Sequence, residues 1–477
     1  MRAFARRAER RRADILVRSI AWRATVGDID DWSRAAQARV GAAGLPPGSI
    51  VGLVAPSGPA FLAGFLAVRR AGCTALLLDR GAPATDRARV LSTVGASAVL
   101  ACEADVQGNV FDARLDVIDR VSRSGGAVGG PDRAVIKMTS GSTGSPRGVA
   151  VTTDALLADE DALARTMGLR DADRLVAALP MSHSYGFTTL ALASLVRGLQ
   201  LIVPQDDGPL APMIAADLCE ATVFPTVPAY VAAVLRMTQP PRWAPSVRLF
   251  LTAGAPLPPA TAAEFRKAAG RPLHVFYGSS ECGGICFDRE GDAGERGTVG
   301  TPVEGVSISF VPPNPPDLPD PMNPMNPMDL ESGLLVVRSA AVGETYVPTP
   351  DPRLGHGRFV TADVAEWRDG EIALLRRVDR VINVRGFKVD PDEVERIVAA
   401  LPGVDEVIVT GAPGPDGRGT MIRAVVACRP GTLDAAAVSA WCRPRLAEHK
   451  VPRRIVFVSQ IPRTSRGKID HAALDHG

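Results

Sequence analysis

Aromatic side chains are scarce: Phe, Trp and Tyr together make up 5% of the 477 residues. So few rings disfavour a surface of base-stacking platforms for nucleic acid. Neither sign of charge dominates, since 54 Lys and Arg stand against 52 Asp and Glu for a net charge of +2. No global field draws the chain to nucleic acid or to an anionic membrane surface. Apolar runs stay short of the roughly 18 residues that span a bilayer. The basic opening, Met1 to Arg12, is interrupted by Glu9, and Asp14 stands where a secretory leader would have its apolar segment, so a surface helix is expected. The seven cysteines are an odd number without the paired spacing of a disulfide framework or zinc site. They read as reduced thiols of a cytoplasmic protein. Cys282 and Cys286 have no second Cys pair or His cluster beside them, so packing is expected there rather than a metal. What these absences leave is small-molecule chemistry.

With 46% hydrophobic residues, a chain of this length is able to build one large domain and a smaller one. Apolar strand-like runs (Ile50–Val54, Thr74–Leu78, Ala98–Leu100, Leu175–Leu179, Leu199–Val203, Ala221–Phe224, Val247–Leu251) alternate with Ala- and Leu-rich amphipathic segments. That rhythm predicts βαβ units, an α/β fold with a large N-terminal domain of mostly parallel, helix-covered sheets. Residues 311–329 are dense in Pro with a short Pro-Met-Asn repeat, which excludes helix and central strand and predicts an exposed loop between two strands. A partner-binding polyproline segment is the alternative. Beyond Arg376-Arg377-Val378-Asp379 the order is helix, strand, strand, helix, strand. The expected division is therefore 1–378 and 379–477, the latter a small mobile α+β domain.

Thr139-Ser140-Gly141-Ser142-Thr143-Gly144-Ser145-Pro146-Arg147-Gly148 combines small, hydroxylated and flexible residues with one fixed cation. Glycines let the backbone approach a ligand, and successive N–H groups and hydroxyls donate to anionic oxygens. The stretch predicts a phosphate cradle. It is not a P-loop NTPase motif, because Pro146 and Val149, five positions after Gly141 and Gly144, fall where that pattern requires its second Gly before the Lys. A Ser/Gly linker is the competing reading, disfavoured by the strand-like runs on either side.

Further segments follow in order: Leu179 to Gly186 with His183; Ala253-Gly254-Ala255-Pro256-Leu257; Tyr277-Gly278-Ser279-Ser280-Glu281; Thr361-Ala362-Asp363; Arg377-Val378-Asp379 continuing to Gly386; and Pro462-Arg463-Thr464-Ser465-Arg466-Gly467-Lys468. The series resembles the adenylate-forming superfamily of acyl- and aryl-CoA synthetases, carrier-protein adenylation domains and firefly luciferase, from about Trp32 to Leu474. The resemblance implies an ATP- and Mg²⁺-dependent reaction in which a carboxylate forms an acyl-AMP that a thiol then captures. Thr139, Ser140, Gly141, Ser142, Thr143 and Gly144 would wrap the phosphates with Arg147, where the family usually has Lys. Glu281 would hold Mg²⁺, with Ser280 and Ser279 beside the phosphates, and Tyr277 and Gly278 would lie with Gly254, Ala255 and Pro256 against adenine. Asp363 would hold the ribose hydroxyls and Arg377 the ribose or α-phosphate, although Ala362 and Arg376 depart from the family's glycines. Asp379 resembles the hinge of the small domain. Lys468, on the loop 462–468, would bridge the substrate carboxylate and the α-phosphate, and Gly386 would line the thiol path after the small domain rotates.

His183 resembles a gate over the substrate carboxylate, a buried hydrogen-bonded His being the alternative. Ser184, Phe187, Val227, Gly283, Gly284 and Ile285 would line a roomy apolar pocket. No acidic residue lies between Gly186 and Leu195 to meet an α-ammonium, which disfavours amino acids. Aryl, medium-chain and bulky polycyclic acids stay open. The expected enzyme is an AMP-forming acid–thiol ligase using CoA, in natural-product biosynthesis. The alternatives are a stand-alone enzyme loading a carrier protein, and a luciferase-like oxygenase or silent nucleotide binder.

Overall fold

The computed structural model describes residues 2–105, 110–118, 132–139, 147–312, 330–380, 382–384, 387–413, 420–446, 448–464, 469–470 and 473–474. The chain forms two compact units, 1–361 with 366–373 and 362–365 with 374–477.

In the larger unit, strands buried on both faces make the centres of two sheets. A seven-stranded sheet runs in the order Thr345–Val347, Arg147–Thr152, Arg133–Thr139, Thr74–Leu77, Ile50–Val54, Ala98–Asp105, Val110–Val117. Its four inner strands, from Arg133–Thr139 to Ala98–Asp105, pair in parallel. A nine-stranded sheet runs Thr301–Pro302, Gly283–Phe287, Leu273–Ser279, Leu249–Thr252, Val223–Thr226, Arg174–Val176, Gln200–Ile202, Ile15–Arg18, Arg23–Thr25. The predicted strands are present in these two sheets. Ile15–Arg18 was not among them, because its parallel partner Gln200–Ile202 lies far along the chain and no local pattern announces it. An antiparallel sheet contains Ser307–Val311 and Ser332–Arg338, the two strands on either side of the Pro-rich segment, of which 313–329 lie outside the described residues.

The basic N-terminus is the helix Arg2–Arg10, but it is not a free surface element. Phe4 and Ala8 are buried, and Arg7 Nη2 donates to the Arg197 carbonyl at 2.5 Å. Arg7 thereby satisfies an orphan carbonyl at the end of the helix Ala193–Arg197.

Helix Thr153–Thr166 starts where the Thr152 hydroxyl accepts from Ala155 N at 3.2 Å. Its buried positions are Ala155, Leu156, Asp159, Glu160, Leu163 and Ala164, the spacing of one helical face. Asp159 is therefore carried into the interior by the same periodicity that buries the leucines. After His183 a short helix, Ser184–Gly186, runs into a π-helical stretch, Phe187–Leu192. Gly186 is required at that junction, since a Cβ there would collide with the Pro180 carbonyl oxygen.

In the smaller unit, strands Glu406–Pro413, Thr420–Ala427 and Arg454–Val458 form a sheet. Helices Pro391–Ala399 and Ala435–Cys442 bury Val394, Val398, Val438 and Cys442 with Val407, Val409 and Val426 in one core. This is the helix, strand, strand, helix, strand order expected from sequence. Among the described residues no helix is long and apolar enough to cross a membrane.

Candidate active site

Thr139 and Arg147 face each other across an antiparallel ladder, and Thr139 Oγ1 donates to the Arg147 carbonyl at 3.1 Å. The base of the glycine loop is closed by these two residues. Ser140, Gly141, Ser142, Thr143 and Gly144 lie outside the described residues, as do Gly386 and Lys468.

The Arg147 guanidinium lies 4.1 Å from the ring centroid of Tyr346 and pairs with Asp351 at 3.3 Å. Burial pushes the Asp351 carboxyl up, but hydrogen bonds and charge from Arg353 and Arg147 outweigh it and bring it down to about 2. Asp351 is ionised at neutral pH and holds Arg147. On the other side, Tyr346 Oη donates to Glu281 Oε1 at 2.9 Å. Burial, then the adjacent Glu281 carboxylate, pushes the phenol up, so it keeps the proton it donates. Asp351, Arg147, Tyr346 and Glu281 thus form one chain of contacts. Neither Tyr346 nor Asp351 belongs to a motif singled out from sequence. The available signal was that Tyr346 is one of only four tyrosines; its place follows from the pairing of Thr345–Val347 with the strand that begins at Arg147.

Glu281 projects from a tight turn in which its N–H donates to Ser279 Oγ at 3.2 Å and its carbonyl accepts from Gly343 N at 2.7 Å. The hydroxyls of Ser280 and Ser184 are 2.6 Å apart, so the segment carrying His183 meets the one carrying Glu281. His183 is half-buried, and its backbone N–H donates to the Pro180 carbonyl at 3.2 Å. Gly254, at φ +86°, follows the strand Leu249–Thr252, and Ala255 and Pro256 beside it are exposed. Half-buried Tyr277 and exposed Gly278 close the adjacent parallel strand Leu273–Ser279. Both groups lie at the carboxyl ends of parallel strands, where open α/β sheets take ligands.

Of the residues expected to line the acid pocket, Ser184 and Val227 are half-buried, and Phe187 and Ile285 are fully buried. The Phe187 ring packs edge-on against Phe61 at 6.3 Å and Phe65 at 5.1 Å. Gly283 and Gly284 are explained by close packing on helix Thr153–Thr166. A Cβ on Gly283 would strike the Asp159 carboxylate, and one on Gly284 would come within 2.6 Å of Leu163.

Sequence reasoning overlooked the charges behind this wall. Asp159 Oδ1 accepts from Gly284 N at 2.9 Å and Oδ2 from Thr188 Oγ1 at 3.2 Å. Lys137, two residues before Thr139, is 3% exposed, with Asp159, Cys282 and Glu281 as its charged or ionisable neighbours. Burial pulls the Lys137 ammonium down and pushes the Asp159 carboxyl up, each countered in part by the other's charge.

In the smaller unit, Arg377 Nη1 donates to Asp363 Oδ1 at 3.0 Å, and Arg377 N donates to Asp392 Oδ2 at 3.3 Å. The two residues expected at the ribose therefore meet each other. Ala362 is buried, and Arg376 approaches Asp390 at 3.9 Å. Asp379 lies in the single turn Val378–Arg380. Arg463 and Ile469 bridge on either side of the segment that ends in Lys468.

The larger unit, with parallel strands at the centres of its two main sheets, and the smaller α+β unit define a mixed α/β fold, which the ATP-bound structure of MatB from Rhodopseudomonas palustris shares. Its TM-score is 0.79 at 23% identity, covering 99% of this chain and 98% of that one. The chain belongs to the AMP-binding enzyme family, whose model matches residues 4–347, with the AMP-binding enzyme C-terminal domain at 393–468. The long-chain-fatty-acid–CoA ligase FadD13 of Mycobacterium tuberculosis is 28% identical over 461 residues, covering 90% of this chain and 88% of that protein. A feruloyl-CoA synthase of Amycolatopsis is 29% identical over 451 residues, with 90% and 88% covered. The protein is an AMP-binding enzyme.

Proposed function

We propose that the protein is an ATP-dependent, AMP-forming ligase that activates an aryl, medium-chain or bulky polycyclic carboxylic acid, not an amino acid, and transfers the acyl group to the thiol of CoA. The observation that carries this reading is the chain Asp351–Arg147–Tyr346–Glu281. It fixes a cation at the base of the glycine loop and a carboxylate beside it, the two charges that MgATP requires. Mg²⁺ suits this donor set. Among the described residues no group of three or more His, Cys, Asp or Glu could cage an ion, so Glu281 would be joined by phosphate oxygens and water, as is usual for Mg²⁺. The ion would relieve charge on the leaving pyrophosphate.

In the first step a substrate carboxylate oxygen bonds to the α-phosphorus while its bond to the pyrophosphate oxygen breaks, giving acyl-AMP. Arg147 and the loop Ser140 to Gly144 hold the β- and γ-phosphates; Tyr277, with Gly254, Ala255 and Pro256, takes adenine; Asp363 and Arg377 take the ribose side. Lys468 bridges the substrate carboxylate and the α-phosphate, and His183 closes over the acid. In the second step the CoA thiol loses its proton to solvent, its sulfur bonds to the acyl carbon, and the acyl C–O bond to the phosphate breaks, AMP departing with the electron pair. The domain 379–477 turns about Asp379 between the steps, exchanging Lys468 for Gly386. The reading includes a role in natural-product biosynthesis and a cytoplasmic location, the latter supported by seven free cysteines, all buried.

ATP–pyrophosphate exchange across a panel of carboxylic acids tests the first step. At least one non-amino acid is expected to support exchange, and added CoA to yield its thioester. Exchange with no acid overturns the ligase reading; acyl transfer only to a carrier protein overturns the CoA assignment.

A further inference from the structure

Arg353 has no part in the mechanism above, yet it holds Asp351 more closely than Arg147 does. It stands two residues after Asp351 in an Asx-type turn, and its backbone N–H donates to Asp351 Oδ1 at 3.0 Å. Its guanidinium folds back on the same carboxylate, with Nε 3.1 Å from Oδ1 and Nη2 2.8 Å from Oδ2. The Arg353 carbonyl accepts from Val360 N at 2.9 Å, which ties the turn to the strand Arg358–Arg368. Arg147 Nη2 also reaches Asp351 Oδ2, at 3.3 Å. Two guanidiniums from distant segments therefore share one carboxylate oxygen, and the fork of Arg353 is the nearer. Burial pushes the Asp351 carboxyl up, and Arg353, by side-chain bond, backbone bond and charge, does more than Arg147 to bring it down.

The consequence lies in the charge offered to a polyphosphate. The Asp351 side chain is only 16% exposed, so water and salt screen its carboxylate poorly. Arg147 and Asp351 alone cancel, and a phosphate drawn to Arg147 would meet a carboxylate beside it. With Arg353 the trio is net cationic, and Asp351 stays paired when Arg147 turns its donors to a ligand. Resting on the ligase reading for the identity of that ligand, we propose that Arg353 is a positioning residue of the phosphate site: it neutralises Asp351 so that Arg147 is available to the terminal phosphates of ATP and to pyrophosphate. The benefit goes to the polyphosphate and not to the nucleoside, because Arg147 stands at the base of the glycine loop. A brace that only shaped the turn would act on every ligand alike and would not be replaced by deleting its partner. The electrostatic role demands the opposite, since removing the charges of Arg353 and Asp351 together leaves Arg147 cationic and unopposed.

The test is calorimetric binding of pyrophosphate, ATP and AMP in the presence of Mg²⁺, with pyrophosphate exchange measured alongside, for the wild type, Arg353→Met, Arg353→Lys and Arg353→Met/Asp351→Asn. Arg353→Met is expected to weaken pyrophosphate and ATP by at least about tenfold and AMP by less than about twofold, the effect of one uncompensated carboxylate near the phosphates. Arg353→Lys keeps the charge without the fork and is expected to bind pyrophosphate within about threefold of the wild type. The double variant is expected to recover pyrophosphate binding to the same range, about threefold. Unchanged pyrophosphate binding in Arg353→Met, an equal loss for AMP, or a double variant no better than Arg353→Met overturns the proposal. If the double variant does not fold, Arg353→Lys decides, and binding as weak as that of Arg353→Met overturns the proposal. Arg353-dependent pyrophosphate binding without exchange by any acid would sink the ligase reading and leave the role of Arg353 standing. Exchange with an acid, equally strong in Arg353→Met, sinks the role of Arg353 alone.

Discussion

Tyr346 joins the two charges of the proposed phosphate site, lying under the Arg147 guanidinium and donating to Glu281. Tyr346→Phe keeps the ring and deletes the donor. Adenylation is expected to fall about tenfold, the worth of one hydrogen bond to a charged group, with a raised requirement for Mg²⁺ in pyrophosphate exchange. An unchanged Mg²⁺ dependence would count against a positioning role. Asp351 gives a pH signature. Its carboxyl is held at about 2, below its ordinary value near 3.8, so its contribution to stability is complete above that value and is lost as pH falls toward 2. Asp351→Asn is expected to destabilise the protein at pH 7, and the gap from wild type in urea unfolding to narrow as pH drops from 5 to about 2.5. A gap constant over that range would mean that Asp351 acts through packing rather than charge. The motif residues Glu281, Arg147 and Ser280 were legible in sequence by residue type and order. Their partners were not, because Tyr346, Asp351 and Asp159 stand in unremarkable local contexts and gain meaning only from what they face.

Strands and helices were the most legible level. Ile50–Val54 is found with the boundaries that its apolar run gave, since a strand buried on both faces has nowhere to place a polar residue. The segment after His183 was less legible. Its apolar composition fits a plain helix, whereas the chain takes a π-helical path over Phe187–Leu192, a form that often marks functional sites. Gly186 sets the entry to that path. Gly186→Ala forces a methyl group against the Pro180 carbonyl and is expected to lower stability by about 1–3 kcal/mol in denaturant unfolding. Loss of acid-dependent exchange should accompany it, because Ser184 and His183 precede the distorted turn. A fully stable variant would show that the Pro180 turn yields instead.

At the scale of the whole molecule, the chain divides into two compact units and carries two matched family segments, and the proposed reaction would use the two in turn. If the small domain exchanges Lys468 for Gly386, Lys468→Ala should abolish acyl-AMP formation, by at least about 1,000-fold, while sparing thioester formation from supplied acyl-AMP. Separate assays of the two half-reactions check this, and equal loss in both would rule out domain alternation. The sequence by itself determined the α/β class, the order of the elements and the residue types of the proposed ATP-handling site, because these depend on periodicity and on short motifs whose chemistry is local. The tertiary structure alone decided that Arg147 is locked between Asp351 and Tyr346, that Glu281 is held by a phenol, and that Lys137 and Asp159 share one buried face. Those relations join residues up to about two hundred positions apart, and only the pairing of strands and the packing of helices upon them bring such groups within a few ångströms.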